Sequence, residues 1–394
     1  MVKRTVYADN NATTKVDEAV VQEMLPYLSE LYGNPSSMHL FGGQVEKKLV
    51  EAREKTAALL NAQPTEIVFT SCGTESDNLA IHSTLISYPE KRHVITTKVE
   101  HPAVLNYCKY LAKRGYGVTF LSVDRNGMID PNELYDSLQD DTAIVSIMYA
   151  NNETGTIFPI EEIGRIVKEQ GAVFHTDGVQ AAGKIPLDMG KSETIDFLSL
   201  SGHKFHAPKG IGVLYVRRGT KFRPLLIGGH QERGRRPGTE NTASIIALGK
   251  ASELALAAME DELTRVKTMR DRLERELLDR IPDAIVNGHP TQRTPNTLNI
   301  SLKYVEGEAI LLLLSEVGIA ASSGSACTSG SLEPSHVLRA MGIPFTAAHG
   351  SIRFSLSRFN TEEDIDYIIE QLPPIIKRLR EISPFGQGKE AVMD

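Results

Sequence analysis

The chain has 394 residues, which is enough for two domains with a large buried core. Hydrophobic residues make up 41% and charged residues 24%, a globular balance, and the net charge of −7 argues against nucleic-acid binding as the main function. The three cysteines lie far apart, so neither a disulfide framework nor a structural zinc site is expected. Residues 1–10 have no signal-peptide core and no apolar run could span a bilayer, so we expect a cytoplasmic protein.

Short apolar runs alternate with amphipathic stretches between about residues 60 and 217. The runs are rich in Val, Ile and Phe, and several lack polar alternation, which is typical of strands buried on both faces. Helical patterns such as Pro159–Gln170 separate several of them, and this alternation predicts a mainly parallel α/β sheet. The predicted strands are Ile67–Phe69, Val94–Thr97, Val118–Val123, Ala143–Met148, Ala172–His175, Phe197–Leu200 and Gly212–Val216.

The pattern changes in the C-terminal part of the chain. Residues Ala243–Arg280 are rich in Ala, Leu, Glu, Lys and Arg at helical spacing and predict one long helix between two domains. A smaller α+β region follows, with strand candidates at Thr297–Leu302 and Ser351–Leu356. The predicted units are a large domain, a small domain and a flexible tail, at residues 16–258, at 1–15 together with 259–382, and at 383–394.

Polar residues of catalytic type follow five successive apolar runs. In open α/β sheets, ligands bind outside the carboxyl ends of the strands, so these residues are expected at one edge of the sheet. One such segment is weak support, whereas all of them together are hard to explain as solvated loops. The segments are Ser71–Ser76, Glu100 with His101, Asn151–Glu153, Asp177–Gln180 and Ser201–Lys204.

Two of these segments suit the ends of a phosphorylated ring cofactor. Gly73 and Thr74 precede a helical pattern, and a small residue and a hydroxyl at a helix N-terminus can bind a phosphate. A simple helix cap at Thr74 or Ser71 is the alternative. Asp177 ends an apolar run, where a carboxylate can pair with a protonated pyridine nitrogen or cap the next helix. Gln180 can reach a ring hydroxyl from the same side.

Two further residues have side chains that suit cofactor chemistry. Lys204 ends an apolar run, and a lysine against an apolar wall can lose its proton and form a Schiff base. Spacing alone does not choose between Lys204 and Lys209, but His203 and Ser201 offer phosphate donors and favour Lys204. His101 can stack on a cofactor ring and move protons, although a lone histidine is more often structural.

Cys327 lies in the small, polar stretch Ser322–Ser331. Such a stretch cannot pack as a core strand, its glycines let it move, and exposure is what a reactive thiol needs. A linker that happens to contain a cysteine is the alternative. Cys72 and Cys108 have more apolar neighbours in sequence and are expected to be inert.

Arg353 alternates with apolar residues in a strand pattern. A guanidinium held on a strand can bind a substrate carboxylate through two parallel hydrogen bonds. A salt-bridged surface arginine is the alternative, and Arg358 is a second candidate for the same role.

Taken in order, these motifs resemble the cysteine desulfurases of the NifS/IscS group, within the pyridoxal-phosphate (PLP) enzymes of the aspartate-aminotransferase fold (fold type I). Residues 203–208 and 229–233 are closer to the nitrogen-fixation (NifS) branch than to the housekeeping branch. The matching motifs are Asp9–Thr14, Gly33–Ser37, Thr70–Asp77, Glu100 with His101, Asn151–Gly155, His175–Gln180, Ser201–Lys209, Arg236–Asn241 and Ser322–Ser335.

The resemblance implies a homodimeric PLP enzyme that converts L-cysteine to L-alanine. Cys327 would carry the sulfur as a persulfide to an iron–sulfur scaffold or other acceptor protein, and would be a transient iron–sulfur ligand shared with that partner. Lys204 and His101 would be the other catalytic residues, and Asn152 and Arg353 would bind the substrate. Thr239 would reach the phosphate bound by the other subunit. The implied cofactor residues are Gly73, Thr74, His101, Asn152, Asp177, Gln180, Ser201, Gly202, His203, Lys204 and Thr239.

Three other functions are compatible with parts of the sequence. An aminotransferase or selenocysteine lyase of the same fold would not need a thiol in a loop. A non-catalytic carrier of sulfur or iron would not need Lys204 or Asp177. A zinc site at His203 and His206 would have poor spacing and no cysteine nearby.

Overall fold

The computed structural model describes residues 4–323 and 334–383. Cys327 and the predicted tail beyond residue 383 therefore lie outside the described residues. Within the described ranges, the strands form sheets of seven, three and two strands. They are β1 Val6–Tyr7, β2 Ile67–Thr70, β3 His93–Thr97, β4 Gly117–Leu121, β5 Thr142–Ser146, β6 Val173–Asp177, β7 Phe197–Ser201, β8 Gly212–Val216, β9 Ala284–Asn287, β10 Thr297–Leu302, β11 Ile319–Ala320 and β12 Ser351–Ser355.

The seven-stranded sheet has the order β2-β8-β7-β6-β5-β3-β4. The pairs from β4 to β7 are parallel, and β8 is antiparallel to both β7 and β2. Every residue of β5, β6 and β7 is buried, because successive side chains enter cores on opposite faces. Ile144, for example, packs in one core and Val145 in the other. The predicted mainly parallel α/β sheet is confirmed.

The helices cover this sheet and the smaller ones. The described α-helices are α1 Glu18–Met24, α2 Pro26–Ser29, α3 Leu40–Leu59, α4 Gly73–Ser87, α5 Pro102–Lys113, α6 Pro131–Ser137, α7 Ile160–Glu169, α8 Thr242–Ala257, α9 Met259–Asp261, α10 Lys267–Arg280, α11 Gly307–Glu316, α12 His336–Ala340, α13 Phe345–His349 and α14 Glu362–Ile382.

The long helix predicted over Ala243–Arg280 is broken in the structure. Helix α8 ends at Ala257, and a π-helical turn at Glu262–Val266 separates α9 from α10. The two halves are bent by 53°. The bend lets α8 bury its apolar side chains in the core of the large sheet while α10 buries Met269 and Leu273 in a separate core. Packing on two cores therefore overrides the continuous helical pattern.

That second core joins the two ends of the chain. It contains Val6 and Ala8 near the N-terminus together with residues of α10, β10, β12 and α14. Helices α12 and α13 pack instead against the core of the large sheet. The domain limits at residues 15/16 and 258/259 remain a prediction.

Within the described residues no single helix is long and apolar enough to cross a membrane. Among the same residues, only the helical segments Thr242–Ala257 and Met259–Arg280 reach that length and apolar composition, and they do so only when counted together across their bend.

Helices α3 and α8 approach each other closely at Gly249, where an added Cβ would lie 2.5 Å from the Cα of Ala52. We expect Gly249→Ala to lower the free energy of unfolding by about 1–3 kcal/mol, because neither backbone can move without disturbing its helix. Urea denaturation measures the change.

Gly43→Ala in α3 is the matched control. A Cβ there would have no atom within 4 Å, so we expect it to raise the free energy of unfolding by about 0.5–1 kcal/mol. Equal effects of the two substitutions would contradict the close approach of the helices.

Candidate active site

A pocket of about 350 Å³ lies at the carboxyl ends of β5, β6 and β7. Small-molecule sites favour such positions in α/β proteins. The structure therefore brings together the ends of strands that are far apart in sequence. The sequence-predicted residues that line the pocket are Gly73, Thr74, His101, Asn152, Asp177, Gln180, Ser201, His203, Lys204 and Arg353.

Two predicted site residues within the described ranges do not line this pocket. Gly202 is buried behind it, and an added Cβ would lie 2.9 Å from Ile211 Cγ2, so this glycine serves packing. Thr239 is exposed, and its neighbours line a different pocket of about 140 Å³. Cys327 lies outside the described residues. The functional roles of all three remain predictions.

The N-terminus of α4 forms one wall of the pocket. The cap residue is Cys72, whose side chain makes no capping hydrogen bond, so the simple cap by Thr74 or Ser71 is not what the structure has. A Cβ on Gly73 would lie 2.9 Å from Val179 Cγ2, which explains a glycine there. Helix N-termini bind anions, so a phosphate could be held at this end of the pocket.

Asp177 is the last residue of β6 and lines the same pocket. Its Oδ1 accepts a hydrogen bond of 2.9 Å from the backbone N–H of Val179. Burial raises the pKa of Asp177 to about 6, while the Val179 hydrogen bond and the Lys204 charge act in the lowering direction. The carboxyl group can therefore be ionised at neutral pH although it is only 6% exposed.

The structure separates the two candidate lysines. Lys204 lines the pocket, and its Nζ donates hydrogen bonds of 2.6 and 2.9 Å to the backbone carbonyls of Asn11 and Ala12. Lys209 is exposed and does not line the pocket. Geometry thus favours Lys204 where sequence spacing alone could not decide.

Sequence reasoning missed Asn11 and Lys184 as parts of the site. The Asn11 carbonyl also accepts a hydrogen bond of 2.9 Å from Gln180 Nε2, and the buried Lys184 donates one of 2.6 Å to Gln180 Oε1. The carboxamide of Gln180 is therefore fixed at both ends. Burial, aided by Lys204, lowers the pKa of Lys184 to about 7. Sequence position gives no sign that this lysine is buried.

His101 begins helix α5 and faces the pocket. Its Nδ1 accepts a hydrogen bond of 3.2 Å from the backbone N–H of Ala103, so a neutral ring carries its proton on Nε2. Burial, followed by the charges of Lys204 and His336, lowers the pKa of His101 to about 4. The imidazole is therefore neutral at neutral pH, and its Nε2–H is a hydrogen-bond donor.

Arg353 lies on β12 and is 3% exposed. Its Nη2 pairs with Asp9 at 2.8 Å, and its Nη1 donates a hydrogen bond of 2.9 Å to the carbonyl of Asn152. Its Nε has no partner among the described residues. Arg358, the second candidate for binding a substrate carboxylate, pairs with Asp17 and does not line the pocket.

The two cysteines that the structure describes differ in position. Cys108 is fully buried, and burial raises the pKa of its thiol to about 12. Cys72 lines the pocket, although its sequence neighbours indicated an apolar environment. Within residues 4–323 and 334–383, no cluster of three His, Cys, Asp or Glu side chains could hold a metal ion.

Comparison with known proteins agrees with this geometry. The model of the class-V aminotransferase family matches residues 6–368. The chain belongs to this family. A cysteine desulfurase of Trichormus azollae is 66% identical over 380 residues, which cover 96% of this chain and 95% of the relative. The cysteine desulfurase NifS of Azotobacter vinelandii is 61% identical over 390 residues, covering 99% and 97%.

A solved structure described as a NifS-like protein has a TM-score of 0.89 and 40% identity, covering 95% of this chain and 100% of that one. The family member described here is thus of the NifS type, as its motifs indicated. The predicted aspartate-aminotransferase-like architecture, fold type I, is confirmed.

The neutral state of His101 can be tested directly. We expect its ring to show no protonation between about pH 8 and pH 5, because its pKa lies near 4. Nitrogen NMR of histidine-labelled protein measures this, and His101→Gln assigns the signal.

Lys204→Ala separates the charge of Lys204 from the other causes of this shift, which are burial and the charge of His336. Because burial is the larger cause, the pKa of His101 in the variant should rise only part of the way to 6.5. A midpoint at 6.5 in the unmutated protein would contradict the burial of the ring.

Proposed function

We propose that this chain is a PLP-dependent cysteine desulfurase. It converts L-cysteine to L-alanine and passes the sulfur, as a persulfide on Cys327, to acceptor proteins that assemble iron–sulfur clusters. The observation that carries the proposal is the position of Lys204. This lysine lies in one pocket with a helix N-terminus and a buried carboxylate, in a chain 61% identical to a NifS protein.

The groups in the pocket fit the chemical groups of PLP. The N-terminus of α4, with Ser201 and His203, would hold the phosphate, and Gln180 would face the ring hydroxyl. Asp177 would pair with the ring nitrogen and Lys204 would hold the aldehyde carbon. When bound, PLP supplies an electron-withdrawing ring that stabilises negative charge developing at the Cα of an amino acid.

The substrate would be oriented by its carboxylate. Arg353 is fixed by Asp9 and by the Asn152 carbonyl, so its guanidinium is preorganised. Its unpartnered Nε leaves a buried donor in need of an acceptor. Together with Asn152, it would hold the cysteine so that the Cα proton faces Lys204.

Proton movement would fall to Lys204 and His101. The Nζ of Lys204 donates hydrogen bonds to two backbone carbonyl oxygens, and once its amine is released it can take the Cα proton as a base. His101 would assist the movement of protons to the carbon fragment that becomes alanine, with the Nε2–H of its neutral ring as a hydrogen-bond donor.

Cys327 would receive the sulfur. Its thiolate forms an S–S bond to the substrate sulfur while the Cβ–S bond of the substrate breaks. The electron pair of the broken bond stays with the carbon fragment, which is protonated to alanine, so no external oxidant or reductant is needed. Delivery to a protein acceptor requires that the persulfide leave the pocket.

The partners follow from the same proposal. Thr239 is exposed and lies outside the pocket of its own chain, which supports a role at the phosphate of a second subunit in a homodimer. The NifS-like residues at 203–208 and 229–233 favour an acceptor connected with nitrogenase clusters. Free thiols suit a cytoplasmic reaction. Cys327 would be a transient cluster ligand shared with the scaffold partner.

Borohydride reduction followed by peptide mass spectrometry tests the cofactor assignment. We expect the reduced cofactor on the peptide that contains Lys204, because that lysine is the one in the pocket. The adduct should persist in Lys209→Arg and disappear in Lys204→Arg. An adduct on another side chain, or protein that stays colourless with added PLP, would overturn the proposal.

Replacing Cys327 by Ala tests the sulfur step. We expect the release of alanine and sulfide from cysteine to fall by roughly 10³-fold or more, because the acceptor nucleophile is lost. The colour of the bound cofactor should stay. Cys108→Ala is the matched control, since that thiol is fully buried and away from the pocket. Full turnover in Cys327→Ala would favour a lyase or aminotransferase that needs no acceptor thiol.

A further inference from the structure

Asp77 is a buried carboxyl group in the pocket wall for which the proposed reaction has no use. It lies in the second turn of α4, is 1% exposed and lines the same pocket as Asp177. Its Oδ1 accepts no hydrogen bond from any described residue. An ionised carboxylate would be strongly unfavourable in such surroundings.

The groups that face Asp77 from the neighbouring elements are acidic or neutral. Asp177 and Ser199 face it from β6 and β7, Glu100 from the segment before α5, and Cys72 from the start of its own helix. Glu100 is fully buried, its Oε2 has no partner among the described residues, and burial raises its pKa to about 8. None of these groups can neutralise a charge on Asp77.

His175 is a basic side chain close to Asp77. Its Nε2 is 3.6 Å from Asp77 Oδ1, while its two ring nitrogens lie 2.8 and 2.9 Å from the hydroxyl oxygens of Ser146 and Ser199. Burial lowers the pKa of His175 to about 3, so the ring is neutral. It offers Asp77 no positive charge.

Asp77 and Asp177 line the same pocket, so two negative charges there would repel each other. Two carboxyl groups that share a buried site cannot both be ionised at low cost. Asp177 has the backbone N–H of Val179 at 2.9 Å and the positive charge of Lys204. Asp77 has neither. Burial, followed by the charge of Asp177, raises its pKa well above the ordinary value, although a hydrogen bond from Ser199 acts in the lowering direction.

We propose that Asp77 carries a proton at neutral pH and so places no second negative charge beside Asp177. This inference rests on the proposed function, because the charge on Asp177 matters only where a cofactor ring nitrogen faces it. Asp77 does not touch the reacting atoms. Its neutral form spares Asp177 the repulsion of a second carboxylate, which would raise the pKa of Asp177 and favour its uncharged form.

Infrared spectroscopy of the full-length protein at neutral pH detects the proton directly. We expect the carbonyl stretching band of a protonated carboxylic acid, which shifts when the aspartates are labelled with carbon-13 and is absent in Asp77→Asn. Glu100→Gln should leave this labelled band in place and remove a separate, unlabelled one. An Asp77→Asn spectrum identical to that of the unmutated protein would overturn the proposal.

The pH dependence of thermal unfolding gives a second test, with cofactor-free protein. Because the folded chain binds the Asp77 proton more tightly than the unfolded chain, the stability contributed by this proton is lost progressively as pH rises above about 4. Asp77→Asn has no such loss. The midpoint temperature of unfolding of Asp77→Asn should therefore rise relative to that of the unmutated protein as pH increases. At about pH 8 it should be higher by at least about 2 °C.

Asp196→Asn is the matched control for this test. Asp196 is also buried in the large sheet, but it pairs with Lys168 and accepts the backbone N–H of Phe174 at 2.8 Å. We expect its loss to lower the midpoint and to remove no acid band. A lowered midpoint in Asp77→Asn, with no gain at higher pH, would mean that Asp77 is ionised and would overturn the proposal.

Both measurements are made without substrate turnover. If they show no proton on Asp77, the inference about Asp77 is wrong. If the proposed function is wrong, the cofactor adduct after reduction is instead missing or lies on another side chain. If Asp77→Asn does not fold, the labelled acid band of the unmutated protein and its loss at alkaline pH still decide the question.

Discussion

The hydrogen bonds from Lys204 and Gln180 to one backbone carbonyl, that of Asn11, are the constraint on which the pocket depends. The side chain of Asn11 also donates to the Asn152 carbonyl at 3.1 Å and to Thr297 Oγ1 at 2.8 Å. One residue of the N-terminal segment thus ties together the turns after β5, β6 and β7 and the start of β10. Because a carbonyl has only two lone pairs, these partners leave little freedom in how lysine and carboxamide are oriented.

The sequence predicted those parts of the molecule that depend on local patterns. Strands such as Phe197–Ser201 are buried on both faces, so their apolar runs mark them clearly. Parallel strands put their carboxyl ends at one edge, and for this reason Asp177 and Lys204 could be placed in one site before any coordinates. The separation of Lys204 from Lys209 needed the structure, because it depends on which way the chain turns after β7.

The residues that the sequence did not predict depend on long-range packing. Asn11 and Lys184 carry ordinary polar side chains, and only the fold shows that both bond to Gln180. Asp77 looks like a helix-surface residue, but α4 buries it against β6 and β7. Gly202 lies beside Lys204 in sequence, yet its Cα faces packed side chains instead of the pocket. Proximity in sequence is a poor guide where a turn directs successive residues to opposite sides.

Burial of ionisable groups also explains the break in the long helix. Glu262 and Val266 begin and end the π-helical turn, and both are buried. Val266 packs in the second core, while Glu262 faces Lys184, and burial raises the Glu262 pKa to about 7 with Lys184 acting in the lowering direction. A continuous α-helix has one register for its buried face. The extra residue of a π turn shifts that register, so that one carboxyl can approach the lysine behind Gln180 while the following turns stay in the apolar core. The same irregularity thus places Glu262 within the electrostatic influence of Lys184 and Val266 in the second core.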